Sequence, residues 1–317
     1  MNLPKPDCLL SVIVPVYNEE ANLALLAERL EHTLTGCATP YELIFVDDGS
    51  SDTSLAIMQA LAAADPRIRY ASFSRNFGHE AASSCGFAMV RGHAAVLMDA
   101  DLQDPPELIP QMLALWRQGS EVVVARRRQR QDESAFKRAS ASLFYRLMNR
   151  LSEVDVPLDV GDFRLVDRKV VDAFNRFPER NRFVRGLFAW AGFRQTTLDY
   201  DRPGRHAGDT KYNTRKLVLL SLDALFSCTL VPLRLITLFG GLVTLASCLL
   251  ILTIVVQKML GLLEIDGYAL LSTGLFFLGG TILVFLGVIG EYVGKTFQEV
   301  QGRPLYLVRE CSDPNPR

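Results

Sequence analysis

Five short apolar runs rich in β-branched residues punctuate the N-terminal part of the chain: LLSVIVPV (9–16), ELIFVD (42–47), RIRYASFS (67–74), HAAVLMDA (93–100) and SEVVVA (120–125). Longer segments with helical period follow most of them, as in EEANLALLAERLEHTL (19–34) and SDTSLAIMQALAAA (51–64). This alternation predicts an α/β domain with a mostly parallel sheet covered by helices. Ligands of such sheets bind beyond the carboxyl ends of the strands. Polar clusters stand there: VYNEE, DDGSSD, SRNFGHE and DADLQD follow the first four runs in turn.

The pattern changes completely toward the C-terminus. Residues 235–257 and 268–290 contain no charged side chain, and each stretch is long enough to cross the roughly 30 Å hydrocarbon core of a bilayer. Buried core helices are the alternative, but two adjacent runs rich in Gly and small residues favour a transmembrane hairpin. Lys216, Arg234, Lys295 and Arg303 flank it, against a lone Lys258 in the joining loop. The positive-inside rule then places residues 1–210 and the tail 291–317 in the cytoplasm, with a multi-pass anchor in the cytoplasmic (inner) membrane. Residues 211–234 mix apolar runs with Arg215, Lys216 and Asp223, as expected of amphipathic helices at a membrane surface or of an ordinary core helix.

Composition narrows the function classes. The 317 residues are 49% apolar with a formal charge of −1, so a sizeable core is available and nothing points to nucleic acid. Six scattered cysteines without a C-x-x-C pair predict neither disulfides nor a zinc site. No G-x-G-x-x-G or Walker-type loop occurs, which disfavours a dinucleotide site or a P-loop.

The stretch LMDADLQDPPE (97–107) carries the most specific chemistry. Asp99, Asp101 and Gln103 are spaced by two, so in an extended chain they share a face. They form either a solvated strand end or a site for a hard cation. Asp104, Pro105 and Glu107 fit a helix cap that would define the turn. Carboxylates so placed suit Mg²⁺ or Mn²⁺ bridging to substrate phosphates.

SVIVPVYNEEANL, ELIFVDDGSSDTS, RNFGHEAASSCG, MDADLQDPPELIP, GDFRLVDRKVVDAF and AGDTKYN, in this order and ahead of a two-span hairpin, resemble the polyprenyl-phosphate glycosyltransferases of glycosyltransferase family 2. That family includes dolichol-phosphate mannose synthase and the bacterial bactoprenol glucosyltransferases. The resemblance covers nearly the whole chain. It implies a GT-A (nucleotide-diphospho-sugar transferase) domain, a UDP-sugar donor, a polyprenyl phosphate acceptor in the membrane and a divalent cation, and it leaves room for a homo-oligomer. UDP-glucose with undecaprenyl phosphate is the expected pair. A different donor such as GDP-mannose or an aminoarabinose-type sugar, a glycerolipid acceptor, or a non-catalytic nucleotide-sugar-binding protein are the alternatives.

The resemblance also assigns residues. Pro15, Tyr17, Glu19 and Asp48 would line the base and ribose pocket, with strand-end packing the alternative for Pro15 and Tyr17, and Arg75 and Asn76 would approach the nucleotide, although these two could simply close a turn. Asp99, Asp101 and Gln103 match the family's metal-binding stretch, with Asp99 also on the nucleotide sugar and Asp101 the principal ligand. Asp162 matches the acidic residue near the reacting centre; an N-cap or a salt bridge with Arg164 is the alternative. Arg126, Arg138 and Ser142 match the acceptor-phosphate residues within a basic run that could also be a solvated loop. Arg205 and Lys211 would clamp the diphosphate. A lipid phosphate is already an anion, so an inverting displacement on it needs positioning and charge neutralisation more than a strong base.

Overall fold

A computed structural model describes residues 9–37, 39–128, 160–180, 182–201, 231–260 and 268–312. The described residues up to Asp201, together with 303–312, make up one compact unit, and the residues from Val231 to Gly302 belong to a second.

The first unit is built on strands β1 (Leu10–Val16), β2 (Tyr41–Asp47), β3 (Ile68–Phe73), β4 (Ala94–Leu97), β5 (Val122–Arg127), β6 (Val160–Asp167), β7 (Gln195–Tyr200) and β8 (Val308–Cys311). They form one sheet in the order β7-β5-β6-β4-β1-β2-β3-β8. The four contiguous strands β4-β1-β2-β3 are parallel. β6 runs antiparallel between β4 and β5, and β8 runs antiparallel on the outer edge of β3. This is the GT-A-like α/β architecture with a mostly parallel sheet. All five expected strands form, but β4 leaves its ladder at Leu97, where the acidic turn begins. β6, β7 and β8 lack the strong alternation that marks a half-buried strand.

Helices α1 (Glu20–Gly36), α2 (Ser54–Ala64), α3 (His79–Met89), α4 (Ile109–Arg117), α5 (Arg168–Asn175) and α6 (Val184–Trp190) cover the sheet. Strand side chains alternate between faces, so Val12, Val14, Val16, Leu43 and Phe45 join α1 and α4 in one core. Ile13, Ile44 and Val46 meet α3, α5 and α6 in the other. Burial on both faces is why the strands read as nearly continuous apolar runs. α3 lies close on β1: a Cβ at Gly86 would come within 2.1 Å of Ile13 Cγ2. Between α4 and β6, the buried Trp116 Nε1 donates to Asp167 Oδ2 at 2.8 Å, while Asp167 Oδ1 caps α5 by accepting from Lys169 N–H.

The second unit holds α7 (Val231–Met259) and α8 (Tyr268–Gln301), of 29 and 34 residues. At about 1.5 Å per residue, both are long enough to cross a bilayer. Their apolar stretches, Leu235–Ile254 and Gly274–Gln301, have mean hydropathies of 2.4 and 1.9 and bury nothing in the protein. Phe239 meets Phe285 edge to face at 5.8 Å between the two helices. Hydroxyls in these helices donate to backbone carbonyls four residues earlier, as Thr244 does to Gly240 and Thr281 to Phe277. That satisfies the hydroxyls within the helix itself. α8 runs on to Gln301, past the expected span end at residue 290, and the segment after it contains β8. The expected interfacial segment lies outside the described residues up to residue 230.

Candidate active site

The strand order reverses beside β1: β2 lies on one side of it and β4 on the other. Such a switch point opens a crevice beyond the strand ends, and the polar clusters converge there.

Pro15 is buried in β1. It is tolerated in a central strand because β4 ends at Leu97; Met98 N–H donates to Ile13 O at 3.1 Å, and the edge at Pro15 meets no further strand. Tyr17 follows, 39% exposed. Asn18 takes a left-handed φ of 54°, which Asn tolerates, and its Oδ1 accepts from Ser51 N–H. Glu19 Oε2 accepts from Asn22 Nδ2 at 2.7 Å.

Asp48, expected at the base, is buried at the end of β2 and anchors a neighbouring loop. Its Oδ1 accepts from the backbone N–H groups of Phe77 and Gly78 at 2.7 and 3.1 Å, and its Oδ2 from Gly78 at 3.0 Å. Burial pushes its carboxyl upward against the pull of those bonds. Gly49 makes the loop contact possible: its φ is +69°, and a Cβ there would lie 2.5 Å from the carbonyl carbon of Arg75. Arg75 and Asn76 are exposed at the tip, with the Arg75 guanidinium 4.1 Å from the Phe77 ring centre.

The acidic turn after β4 is tightly built. Asp104 faces inward, where Oδ2 accepts from Asp99 N–H at 3.1 Å and Oδ1 from the Tyr200 hydroxyl at 3.2 Å. A 3-10 turn at Pro106–Leu108 then leads into α4. Asp101 Oδ1 accepts from Gln103 N–H at 3.1 Å. Between them Leu102 is buried at φ 61°, a costly conformation for a leucine. The inward side chain and the Asp101 bond hold it there.

β6 delivers Asp162. Leu97 pairs with Arg164 in antiparallel register, and continuing that register past the ladder brings Asp99 level with Asp162. His79, at the start of α3, stands between them: Nε2 is 3.8 Å from Asp99 Oδ1 and 3.6 Å from Asp162 Oδ2. That nitrogen is shielded from solvent and makes no hydrogen bond. Arg185 of α6 grips Asp162 with two bonds, Nε to Oδ1 at 2.7 Å and Nη2 to Oδ2 at 2.6 Å. Glu80 Oε2 accepts from Val184 N–H at 3.1 Å and so pins the start of α6. Arg164 Nη2 makes a looser ion pair with Asp162 Oδ1 at 3.9 Å and also donates to the carbonyl of Gly161 at 3.0 Å.

The charges are tuned in opposite directions. Burial alone would raise the Asp162 carboxyl, but the bonds from Arg185, with His79 and Arg164 nearby, hold it well below the usual carboxylate range. Burial raises Asp99, His79 offsets only part of this, and Asp162 and Asp101 add to it. Burial would lower His79, yet Asp99, Asp162 and Glu80 leave it raised. The oxygen donors Asp99, Asp101 and Gln103 fit a hard divalent ion. Among the described residues no group of three or more His, Cys, Asp or Glu forms a ready-made metal cluster.

Arg126 is half-exposed at the end of β5 and pairs with Asp199 of β7, Nε to Oδ1 at 2.6 Å and Nη2 to Oδ2 at 3.0 Å. Arg138, Ser142, Arg205 and Lys211 lie outside the described residues. His79, Glu80 and Arg185 were not assigned from sequence. The first two stand in the polar run SRNFGHE, whereas Arg185 sits in the unremarkable FVRGLF and becomes visible only when α6 packs beside β6.

Comparisons with known proteins show what the chain is similar to. The sequence model of glycosyl transferase family 2 matches residues 11–174. An uncharacterized glycosyltransferase of Synechocystis is 44% identical over 301 residues, covering 95% of each chain. The SfII prophage-derived bactoprenol glucosyl transferase of Shigella flexneri is 36% identical over 307 residues, 97% of this chain and 99% of its own. Among solved structures, mannosyl-3-phosphoglycerate synthase from Rubrobacter xylanophilus is 19% identical with a TM-score of 0.47, covering 68% of this chain and 71% of its own.

Proposed function

The chain belongs to glycosyl transferase family 2, and from that premise we propose that it moves a sugar, glucose from UDP-glucose, onto a polyprenyl phosphate at the cytoplasmic face of a membrane. The observation that carries this reading is the pairing of Asp162. Both its oxygens already accept charge-assisted bonds from Arg185, so it is a poor proton acceptor. A hydroxyl acceptor would need a base at this point, whereas a lipid phosphate attacks as the anion it already is. The bactoprenol glucosyl transferases among the relatives act on such a lipid by name.

In this reading Pro15, Tyr17 and Glu19 line the base and ribose site. Asp48 works there chiefly by holding the loop of Arg75 and Asn76. Asp99 and the ionised Asp162 face the sugar, where fixed negative charge favours an oxocarbenium-like centre. His79 and Arg185 keep those two carboxylates apart and oriented. Arg126, Arg138 and Ser142 receive the acceptor phosphate, which draws Arg126 from Asp199, and Arg205 and Lys211 hold the donor diphosphate. Mg²⁺ or Mn²⁺ on Asp99, Asp101 and Gln103 would neutralise charge on the departing diphosphate. Chain topology supports the anchor. α7 and α8 are two candidate spans, and the chain after α8 rejoins the sheet through β8, as an even number of crossings requires.

The test is to incubate purified full-length protein with undecaprenyl phosphate, Mg²⁺ or Mn²⁺ and a panel of nucleotide sugars, and to weigh the lipid products by mass spectrometry. A hexosyl undecaprenyl phosphate formed from UDP-glucose is expected. Transfer only to a glycerolipid hydroxyl, or nucleotide binding without any product, would overturn the proposal.

A further inference from the structure

The segment that leaves α8 is part of the sheet. β8 pairs with β3, Cys311 opposite Ala71, Glu310 opposite Ser72 and Val308 opposite Phe73. Ser312 continues the contact, donating its N–H to Tyr70 O at 3.0 Å and accepting from Tyr70 N–H at its Oγ. Covering an otherwise open edge strand explains the backbone bonds. It does not explain what happens at the other end of the segment, where β3 runs out into the loop carrying Arg75 and Asn76.

There the tail grips the loop in two ways. Ser74 N–H, the first of the loop, donates to Leu307 O at 2.9 Å. The Tyr306 ring lies flat on Phe73, centres 4.9 Å apart and planes within 10°. Phe73 in turn meets Phe77 edge-on at 5.7 Å. Phe77 is the residue whose N–H donates to Asp48 and whose ring carries the Arg75 guanidinium. A continuous line of packed aromatic rings thus runs from the tail to the groups read as nucleotide contacts. The tip itself, Ser74 to Asn76, is exposed, so its position depends on these anchors and on the bonds to Asp48.

We propose that the tail at Tyr306 and Leu307 completes the nucleoside-diphosphate site, with Tyr306 a positioning residue that sets the 74–78 loop through Phe73 and Phe77. The chain reaches Tyr306 within five residues of the end of α8, so the segment that closes the membrane hairpin also tunes donor affinity. The inference rests on the reading of the 74–78 loop as donor-binding.

The experiment uses the full chain in detergent and measures UDP binding with Mn²⁺ by calorimetry, then KM for UDP-glucose and for the lipid acceptor separately. Tyr306→Ala should weaken UDP binding and raise the donor KM by roughly three- to tenfold, the range expected for one lost aromatic stack. The acceptor KM should stay within about twofold, since the loop touches one substrate only. Tyr306→Phe keeps the ring and loses the hydroxyl contact with Cys85; it should bind UDP as the unaltered protein does. Glu310→Ala breaks the strand's 2.6 Å bond with Gln59 and should leave donor affinity intact. If Tyr306→Ala does not fold, Tyr306→Leu keeps apolar bulk without a flat ring and should show the same donor-specific loss. Unchanged UDP binding in these variants, equal losses for donor and acceptor, or an equal loss in Glu310→Ala would overturn the inference alone. Failure of the unaltered protein to bind UDP would overturn the donor reading, and this inference with it.

Discussion

Asp99 and Asp162 face each other beyond the last rung of the β4–β6 ladder, with His79 Nε2 3.8 Å from an oxygen of one and 3.6 Å from an oxygen of the other. Two carboxylates so close repel, and the imidazole and the Arg185 guanidinium, with Arg164 at 3.9 Å from Asp162, make the arrangement tenable. The pair has opposite fates: Asp162 is drawn toward permanent ionisation, Asp99 away from it.

Arg185→Gln should therefore cost roughly 1–3 kcal/mol of stability, by leaving a buried carboxylate without its cation. The pH dependence has a definite sign. A carboxyl depressed in the folded state contributes stability that is complete above its unfolded value of about 3.9 and is lost as pH falls toward the folded value. Thermal midpoints of full-length protein between about pH 5 and 2 should fall in the unaltered enzyme and fall less steeply in Arg185→Gln. Parallel curves would rule out Asp162 as the source.

Asp162→Asn keeps the shape and removes the charge. The expected result is a loss of kcat of about 100-fold or more, with UDP affinity preserved. An unaffected kcat would exclude a role near the anomeric carbon.

Asp101→Ala should abolish transfer and weaken Mn²⁺-dependent UDP binding by about 10- to 100-fold, while metal-free UDP binding changes little. Calorimetry with and without Mn²⁺ reads both quantities. Normal turnover would rule out the metal assignment.

Gly49→Ala forces a Cβ into the carbonyl carbon of Arg75 at a backbone angle that L-residues avoid. The 74–78 loop should shift, with UDP affinity falling about tenfold and stability by roughly 1–2 kcal/mol. The lipid KM should be unchanged.

Arg138→Ala should raise the KM for undecaprenyl phosphate by about tenfold or more, as for a charge-assisted phosphate bond, and leave the KM for UDP-glucose alone. Equal effects on both would mark Arg138 as structural.

Local pattern alone determined a good deal here. Burial on both faces leaves an unmistakable trace, so β1 to β5 and α1 and α2 are visible as apolar runs and helical periods. Two uncharged stretches of spanning length are just as plain in α7 and α8. The acidic stretch of Asp99, Asp101 and Gln103 stood out in the sequence, but the shared face expected of an extended chain does not form: β4 ends at Leu97 and the chain turns, with Leu102 at φ 61°. The four-residue β8 carries no such signature, since an edge strand pairs through backbone groups that every residue owns. Tertiary structure alone decided the partners. Asp48 reads from sequence as a ligand for a base, and the fold adds that it also accepts from Phe77 and Gly78 and so holds the neighbouring loop. Asp104 looked like a helix cap, yet it braces Asp99 and meets Tyr200. Asp162 pairs only loosely with its near neighbour Arg164, at 3.9 Å, because a strand sends alternate side chains the same way without fixing their reach. The guanidinium that grips it comes from Arg185, on a helix 23 residues further on. A hydrogen bond is satisfied by whichever group the fold carries within about 3 Å, and separation along the chain says almost nothing about that.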